Sequence, residues 1–572
     1  MRHLKFAIIC CLLAAPASAE PFLRLIQPYE NATLPAVKES FVFGSVLPAT
    51  STLVINGATV TPHSNGGFLV MIPFTEGPFI ITAVAMDGIS TTTVVRKLFV
   101  GASAQPIPAD SDRIEPVSPQ GRVVVRPGDM LSVVVNGPVG GKGTFKFKEK
   151  GGDYPLIETS PGSFKGVYKI QPSDAYEEDD IVFSLRRADG KRLTKKSGAS
   201  ITVQRRSIPR IADLTEDAVL LTGPGTSYGY HLYLLKGVRL EISGEWGDYM
   251  RVALDRNIQG WVNKKSIVEL PSGTMPARSV ARNVRISTTA TSTIIEVPLQ
   301  YIHAHKVEQF LNPHRLKLTL YNVIADTDRM RYRSNNSVVS EVGWSQPLPS
   351  TYVLDIQTNQ KVPWGYDVRY EGTTLILEIR HRPKWQGGLK GLTVAVDAGH
   401  SPSAFGTIGP WGNTEASVNL AVAKVMKRYF EARGAKVVMI QDGTRELSLQ
   451  DRVAMAWQGR ADFFISIHCD ACPEGQNPRE KEGFSVHYYY PQSRWLAEEI
   501  HRIYGDRVKF RDQGLWRSNL AVCRTTQMPS ILLEQGFLVL PELEEIMLTP
   551  KHHEQVADVL YNALVSLMKR TE

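Results

Sequence analysis

Cysteine is scarce in this chain. There are five in 572 residues, and two of them, Cys10 and Cys11, fall in the first twenty positions. A dense disulfide framework of the kind that holds small secreted domains is thereby excluded, and stability must come from buried apolar cores. Long hydrophobic runs are missing too: no segment reaches about 18 uninterrupted apolar residues, the length needed to span a bilayer as a helix. There is no low-complexity or long acidic tract. The formal charge of +8 is mild for this length. Basic residues form no stripe interleaved with aromatics, so nucleic acid is not indicated as a partner. At this length one core is not enough, and several domains are expected.

What is present begins with a targeting signal. Arg2, His3 and Lys5 make a basic start, residues 6–15 an apolar stretch, and Ala17-Ser18-Ala19 a small-residue cleavage site. Residues 1–19 therefore read as a signal peptide and the mature chain as starting near Glu20. No cysteine stands at the cleavage point, which argues against a lipid anchor. Cys469, Cys472 and Cys523 remain, an odd number for an oxidising compartment. The spacing Cys469-Asp-Ala-Cys472 leaves a local disulfide, plain thiols and a metal or redox role all open.

Four β-rich modules follow. Over 20–102, the segments STLVING, GGFLVMIPF, FIITAVAMDG and STTTVVRKLFV alternate apolar and polar residues between Asn-Gly and Asp-Gly turns, the pattern of a small antiparallel sandwich. A second stretch of that kind covers 110–206, and both resemble bacterial immunoglobulin-like accessory domains. Over 208–272, the GPGTSY turn, the GEWGDY hairpin and the closing GWVNKKSIVEL resemble the bacterial SH3-like domain of exported cell-wall proteins. Trp246, Tyr249 and Trp261 are its candidate substrate-binding residues, with core or hairpin packing the equal alternative. Over 278–384, LTLYNV, VGWSQ and WGYDVRYEGTTLILEIR resemble the AMIN domain that targets some wall amidases within the envelope.

From Leu392 the texture changes to strands alternating with helices, the sign of an α/β domain, here 390–570. LTVAV, KVVMI, DFFISI, FSVHYYY, LAVC and SILLE read as strands. Residues 414–433, 447–457, 494–504 and 552–568 read as helices, the first with Val418, Val422, Val425, Met426 and Phe430 at helical spacing. Polar groups stand at or just past the ends of these runs: His400 in VAVDAGH, His468 in FISIHCD and Glu534 in SILLEQGF. Glu415, in GNTEASVN, falls in a first helical turn. Ligands gather outside the carboxyl ends of parallel strands. Two imidazoles and a carboxylate are a ligand set for a catalytic zinc, with a second carboxylate free to act as general base. Arg452 reads as a structural salt-bridge partner, His487 as a strand-face residue, and His552 and His553 as helix-surface residues.

The motifs DAGH, Gly409 through Glu415, SIH, GFSVHYYY and RDQGLWRSNLAVCRTTQMPSILLEQGF resemble the zinc-dependent N-acetylmuramoyl-L-alanine amidases of bacterial cell-wall turnover. The resemblance implies a mostly parallel central sheet flanked by helices. It implies one zinc ion held by His400, Glu415 and His468, and Glu534 as catalytic base. The implied substrate is peptidoglycan, cut between N-acetylmuramic acid and L-alanine, and an envelope protein activator is a partner some members need. With the signal and the AMIN-like module, the expected location is the periplasm, an outer wall being the alternative. Two departures stand out. Ser401-Pro402 replaces the family's common Gly-Gly, and Cys469-Asp470 replaces a small residue and Asn. The PEGQNPREKE segment is too short for the blocking helix that some relatives insert there. A zinc peptidase acting on stem peptides and a non-catalytic wall-binding or activator protein are the competing functions.

Overall fold

The computed structural model describes residues 20–572 apart from Ile89, Ala104, 205–208 and 333–337. The expected signal peptide lies outside the described residues. The chain forms two compact units. One joins the described residues up to Ser103 with Lys384–Glu572, and the other is Ala104–Pro383. The N-terminal module and the C-terminal domain thus belong together although some 280 residues separate them in sequence.

In the first unit, the N-terminal module packs two sheets face to face. Phe22–Gln27, Glu39–Leu47 and Gly67–Pro73 make a three-stranded antiparallel sheet. Ala32–Leu34, Ser90–Val100, Gly77–Asp87, Thr52–Ile55 and Ala58–Val60 make a five-stranded one. Leu25, Val42, Val46, Ile55, Phe68 and Ile81 fill the space between them. Successive strand residues point to opposite faces, so Glu39–Leu47, buried at each position from Ser40 to Val46, must be covered on both. The second cover is the C-terminal domain.

That domain is built on a six-stranded mixed sheet in the order Lys436–Met439, Thr393–Ala398, Phe463–Asp470, Ser530–Phe537, Phe484–Tyr488, Asp512–Arg517. Neighbours run parallel except Phe484–Tyr488 against Ser530–Phe537. Helix Glu415–Glu431 is capped by Thr414. Helix Leu449–Gln458 starts with a Ser448–Asp451 capping box, which satisfies two otherwise orphaned N–H groups. The long closing helix Pro550–Arg570 packs on Glu415–Glu431 and Pro491–Val508.

The structure differs from two local expectations. LAVC is not a strand: Val522–Arg524 is a single 3-10 turn buried against the sheet, and the edge strand is Asp512–Arg517. A short apolar run specifies burial, and its periodicity cannot separate strand from turn. His552 and His553 are not on the surface; they are 1% and 8% exposed. Both lie on the apolar stripe of the closing helix, where Nε2 of His552 meets the Gln535 side chain and Nε2 of His553 the Met547 carbonyl.

The second unit is all β. A seven-stranded sheet runs from Arg192–Lys196 at one edge to Glu115–Ser118 at the other. Gly121–Val125 pairs both with Ala199–Val203 and with Arg239–Trp246, so one sheet continues from the second module into the third. The last module closes five- and four-stranded sheets over Val284, Ile295, Leu318, Tyr352 and Leu377. Among the described residues, no helix is long and apolar enough to cross a membrane.

Candidate metal centre

Three of the residues singled out above converge from three elements. His400 follows the Thr393–Ala398 strand, Glu415 opens its helix, and His468 sits near the end of Phe463–Asp470. Nε2 of His400 lies 3.0 Å from Oε2 of Glu415, and Nδ1 of His468 lies 3.0 Å from Oε1. One ligand atom from each of the three falls within 4.8 Å of the others. Such an approach needs room. A Cβ on Gly399 would stand 2.4 Å from the His468 ring, and one on Gly406 would stand 2.3 Å from the Glu415 carboxylate.

His400 itself has a φ of 71°, in the left-handed region that a side chain with a Cβ adopts at a cost. The conformation is held from beneath. Arg452 donates through Nη2 to the His400 carbonyl (2.5 Å) and through Nη1 to Asp397 (2.6 Å), and both side chains of that ion pair are buried. The expected salt bridge of Arg452 is therefore the support of the His400 loop.

Burial alone would raise the Glu415 carboxyl, but hydrogen bonds from His400 and His468 outweigh it and bring it down to about 2. The reciprocal bond with Glu415 raises His400. Backbone N–H groups of Thr407 and Cys469 and the Asn419 amide also donate to Glu415. Its place in a first helical turn adds the favourable end of the helix dipole.

Glu534 pairs in register with His468 on the adjacent parallel strand, which sets both side chains on one face of the sheet. Its Oε2 is shielded from solvent and has no hydrogen-bond partner among the described residues. Burial, then the nearby charges of Asp470 and Glu415, push its carboxyl well above the usual range. Glu534 and Asp470 share with His400 and Glu415 a cleft of about 450 Å³. Asp470, noted in the sequence only as a departure, is thus part of the site's surface.

Behind the trio runs a buried chain that the sequence reading missed. Gln535 Nε2 donates to Asn419 Oδ1 (3.1 Å), Asn419 reaches Glu415 (3.3 Å), and His552 closes the line on Gln535. Asn419 lies one helical turn after Glu415, and this i,i+4 spacing is the signal that could have found it. His487 stands apart, with Ser485 and Ser518 each at one ring nitrogen. Cys469, Cys472 and Cys523 are free, buried thiols, and burial raises Cys472 to about 11 and Cys523 to about 12.

The three aromatic candidates lie in the other unit. Trp246 faces Tyr249 across a hairpin and packs on the core of the preceding module, while Arg251 lies over Trp261. Trp246 is thereby engaged in a seam between modules; Tyr249 and Trp261 stay half-buried on strand faces.

Two imidazoles and a carboxylate, with an orphaned carboxylate oxygen beside them, are donors suited to zinc. The family model described as N-acetylmuramoyl-L-alanine amidase matches residues 394–566, which hold all four residues. YqiI of Bacillus subtilis (strain 168), described as uncharacterized, is 31% identical over 178 residues, 31% of this chain and 85% of that protein. The N-acetylmuramoyl-L-alanine amidase LytC of the same organism is 29% identical over 195 residues, 34% of this chain and 39% of LytC. A probable cell wall amidase, LytH of Staphylococcus epidermidis (strain ATCC 35984 / DSM 28319 / BCRC 17069 / CCUG 31568 / BM 3577 / RP62A), is 30% identical over 172 residues, 30% of this chain and 56% of LytH. The chain belongs to the N-acetylmuramoyl-L-alanine amidase family of cell-wall hydrolases, and its C-terminal domain is the amidase domain. That family is generally zinc-dependent, and His400, Glu415 and His468 form the candidate site.

Proposed function

We propose that this chain is an exported zinc hydrolase that cuts peptidoglycan between N-acetylmuramic acid and the L-alanine of the stem peptide. The observation that carries the reading is the convergence of His400, Glu415 and His468 beside the unpartnered carboxylate of Glu534. His400, Glu415 and His468 would hold the ion. When bound, zinc supplies a Lewis acid that polarises the scissile carbonyl and makes water acidic enough to attack near neutral pH. Glu534 accepts the proton of the attacking water at its free Oε2 and returns it to the leaving amine of L-alanine. The raised proton affinity of its buried carboxyl suits it to hold that proton between the two transfers, and a cation beside it would moderate the shift. Gly399 and Gly406 keep the trio compact, and Arg452 fixes the His400 loop.

The β-rich modules, read as immunoglobulin-like, SH3-like and AMIN-like, hold the enzyme at the wall, in the periplasm or an outer wall. Half-buried Tyr249 and Trp261 are the residues offered for wall contact.

The test is incubation of the mature chain with purified sacculi, with and without zinc, alongside Glu534→Ala, reading released fragments by mass spectrometry. Free stem peptides beginning with L-alanine, lost on chelation and in the variant, are the expected result. Cuts within the peptide would move the assignment to a peptidase. Bound sacculi with no product would leave a wall-binding protein.

A further inference from the structure

The amidase domain does not line its cleft alone. The three-stranded sheet of the N-terminal module lays its outer face on the domain, where Ile26, Phe41 and Phe43 share an apolar cluster with Val418, Phe537 and Val539. Phe22 stacks on Trp411, ring centroids 6.4 Å apart and planes within 6°. A polar seam lies beside this cluster. Glu474 accepts from Gln27 Nε2 at 2.7 Å and from Ser40 Oγ at 2.5 Å, and the Gly475 N–H donates to Ser40 Oγ at 3.1 Å. Glu474 belongs to the loop that follows His468, so the module grips the segment carrying Asp470 and Cys472. Gln27 and Phe41 then appear in the lining of the cleft itself, together with His400, Glu415 and Glu534.

We infer that the N-terminal module is a working wall of the amidase cleft and that Gln27 is a substrate-contacting residue within it; this rests on the amidase reading above. Phe41 is 2% exposed and shapes the wall from behind. Gln27 is half-buried and carries the polar group that the module presents. Its bond to Glu474 fixes the direction of the carboxamide before any ligand arrives, so little side-chain entropy is lost on binding. A carboxamide offers one donor and one acceptor side, which match amide groups. The substrate class carries such groups on both sides of the scissile bond, as the acetamido group of the sugar and the peptide amides of the stem.

The test uses the full-length, zinc-loaded chain with a soluble disaccharide–tetrapeptide muropeptide as substrate, comparing wild type, Gln27→Ala and Ser40→Ala. Both variants lose a bond to Glu474, but only Gln27 reaches the cleft. Gln27→Ala is expected to raise KM by about three- to tenfold, the loss typical of one neutral hydrogen bond, with kcat within about twofold. Ser40→Ala is expected to leave KM within about twofold. Unchanged KM in Gln27→Ala, or equal changes in both variants, would overturn the inference and leave Gln27 a docking residue. Should Gln27→Ala lower the Tm more than Ser40→Ala, Gln27→Asn provides the second reading, with a raised KM expected and a wild-type KM overturning the proposal. If wild type itself releases no peptide with a free N-terminal L-alanine, it is the underlying amidase reading that fails.

Discussion

The rings of His400 and His468 stand 5.1 Å apart with planes inclined by 68°, and Glu415 turns one carboxylate oxygen to each. The three candidate ligands are therefore preset by contacts among themselves, and further groups hold them from behind. His468→Ala and Glu415→Ala are each expected to reduce bound zinc from about one ion per chain to near zero, measured by elemental analysis after dialysis. Asn419→Ala removes a support of Glu415 and the partner of Gln535. It is expected to weaken zinc binding by about 10- to 100-fold, the usual effect of losing such a partner, in competition with a fluorescent chelator.

Glu534→Gln keeps shape and removes the basic oxygen. The expected result is a fall in kcat of about 10²–10⁴ with zinc content unchanged. A variant that lost metal in parallel with activity would place Glu534 among the ligands instead.

Arg452→Met leaves Asp397 buried without its cation and releases the His400 carbonyl. Breaking one side of a buried pair costs about 3–5 kcal/mol, so a marked drop in the Tm of the amidase domain is expected by calorimetry. Because Asp397 then lacks only its charge partner, adding Asp397→Asn is expected to recover part of that loss.

The metal-free protein has a pH dependence of definite sign. Glu415 is depressed from 4.5 to about 2, so its stabilising contribution is present above about pH 4.5 and lost as pH falls through about 2. His400 is raised from 6.5, so its contribution is full below about pH 6.5 and lost as pH rises through the raised value. Thermal melts of chelator-treated protein across pH should show both limbs. Glu415→Gln should flatten them together, because the bond with Glu415 is the largest cause of the His400 shift.

The candidate site was legible because its residues punctuate apolar runs. VAVDAGH, FISIHCD and SILLEQGF each break an apolar run with a polar group; His400 lies just past its strand while His468 and Glu534 lie inside theirs, and parallel pairing sets these strands side by side. Glu415 was legible as a residue of the first turn of the 414–433 helix, and the structure adds Thr414 as the cap of that helix. His552 was misread because a histidine on a helix gives no sign of which neighbour will satisfy it. The Gln535 side chain that meets it is on another element. The docking of the first module was out of reach for a related reason. ESFVFGSVL folds as a strand buried along its length, but nothing local in it names the second cover, whose residues run from Val418 to Met547.

That separation gives the two-part unit an order in time. The chain is made from its N-terminus, so Ile26, Phe41 and Phe43 precede Val418 and Phe537 by hundreds of residues. Until the last third of the polypeptide is made, the nascent module carries an uncovered aromatic face. Any product truncated before Lys384 keeps that face permanently. The final third of the chain therefore supplies the cover of its first hundred residues, and the order of synthesis places the covered face before its cover.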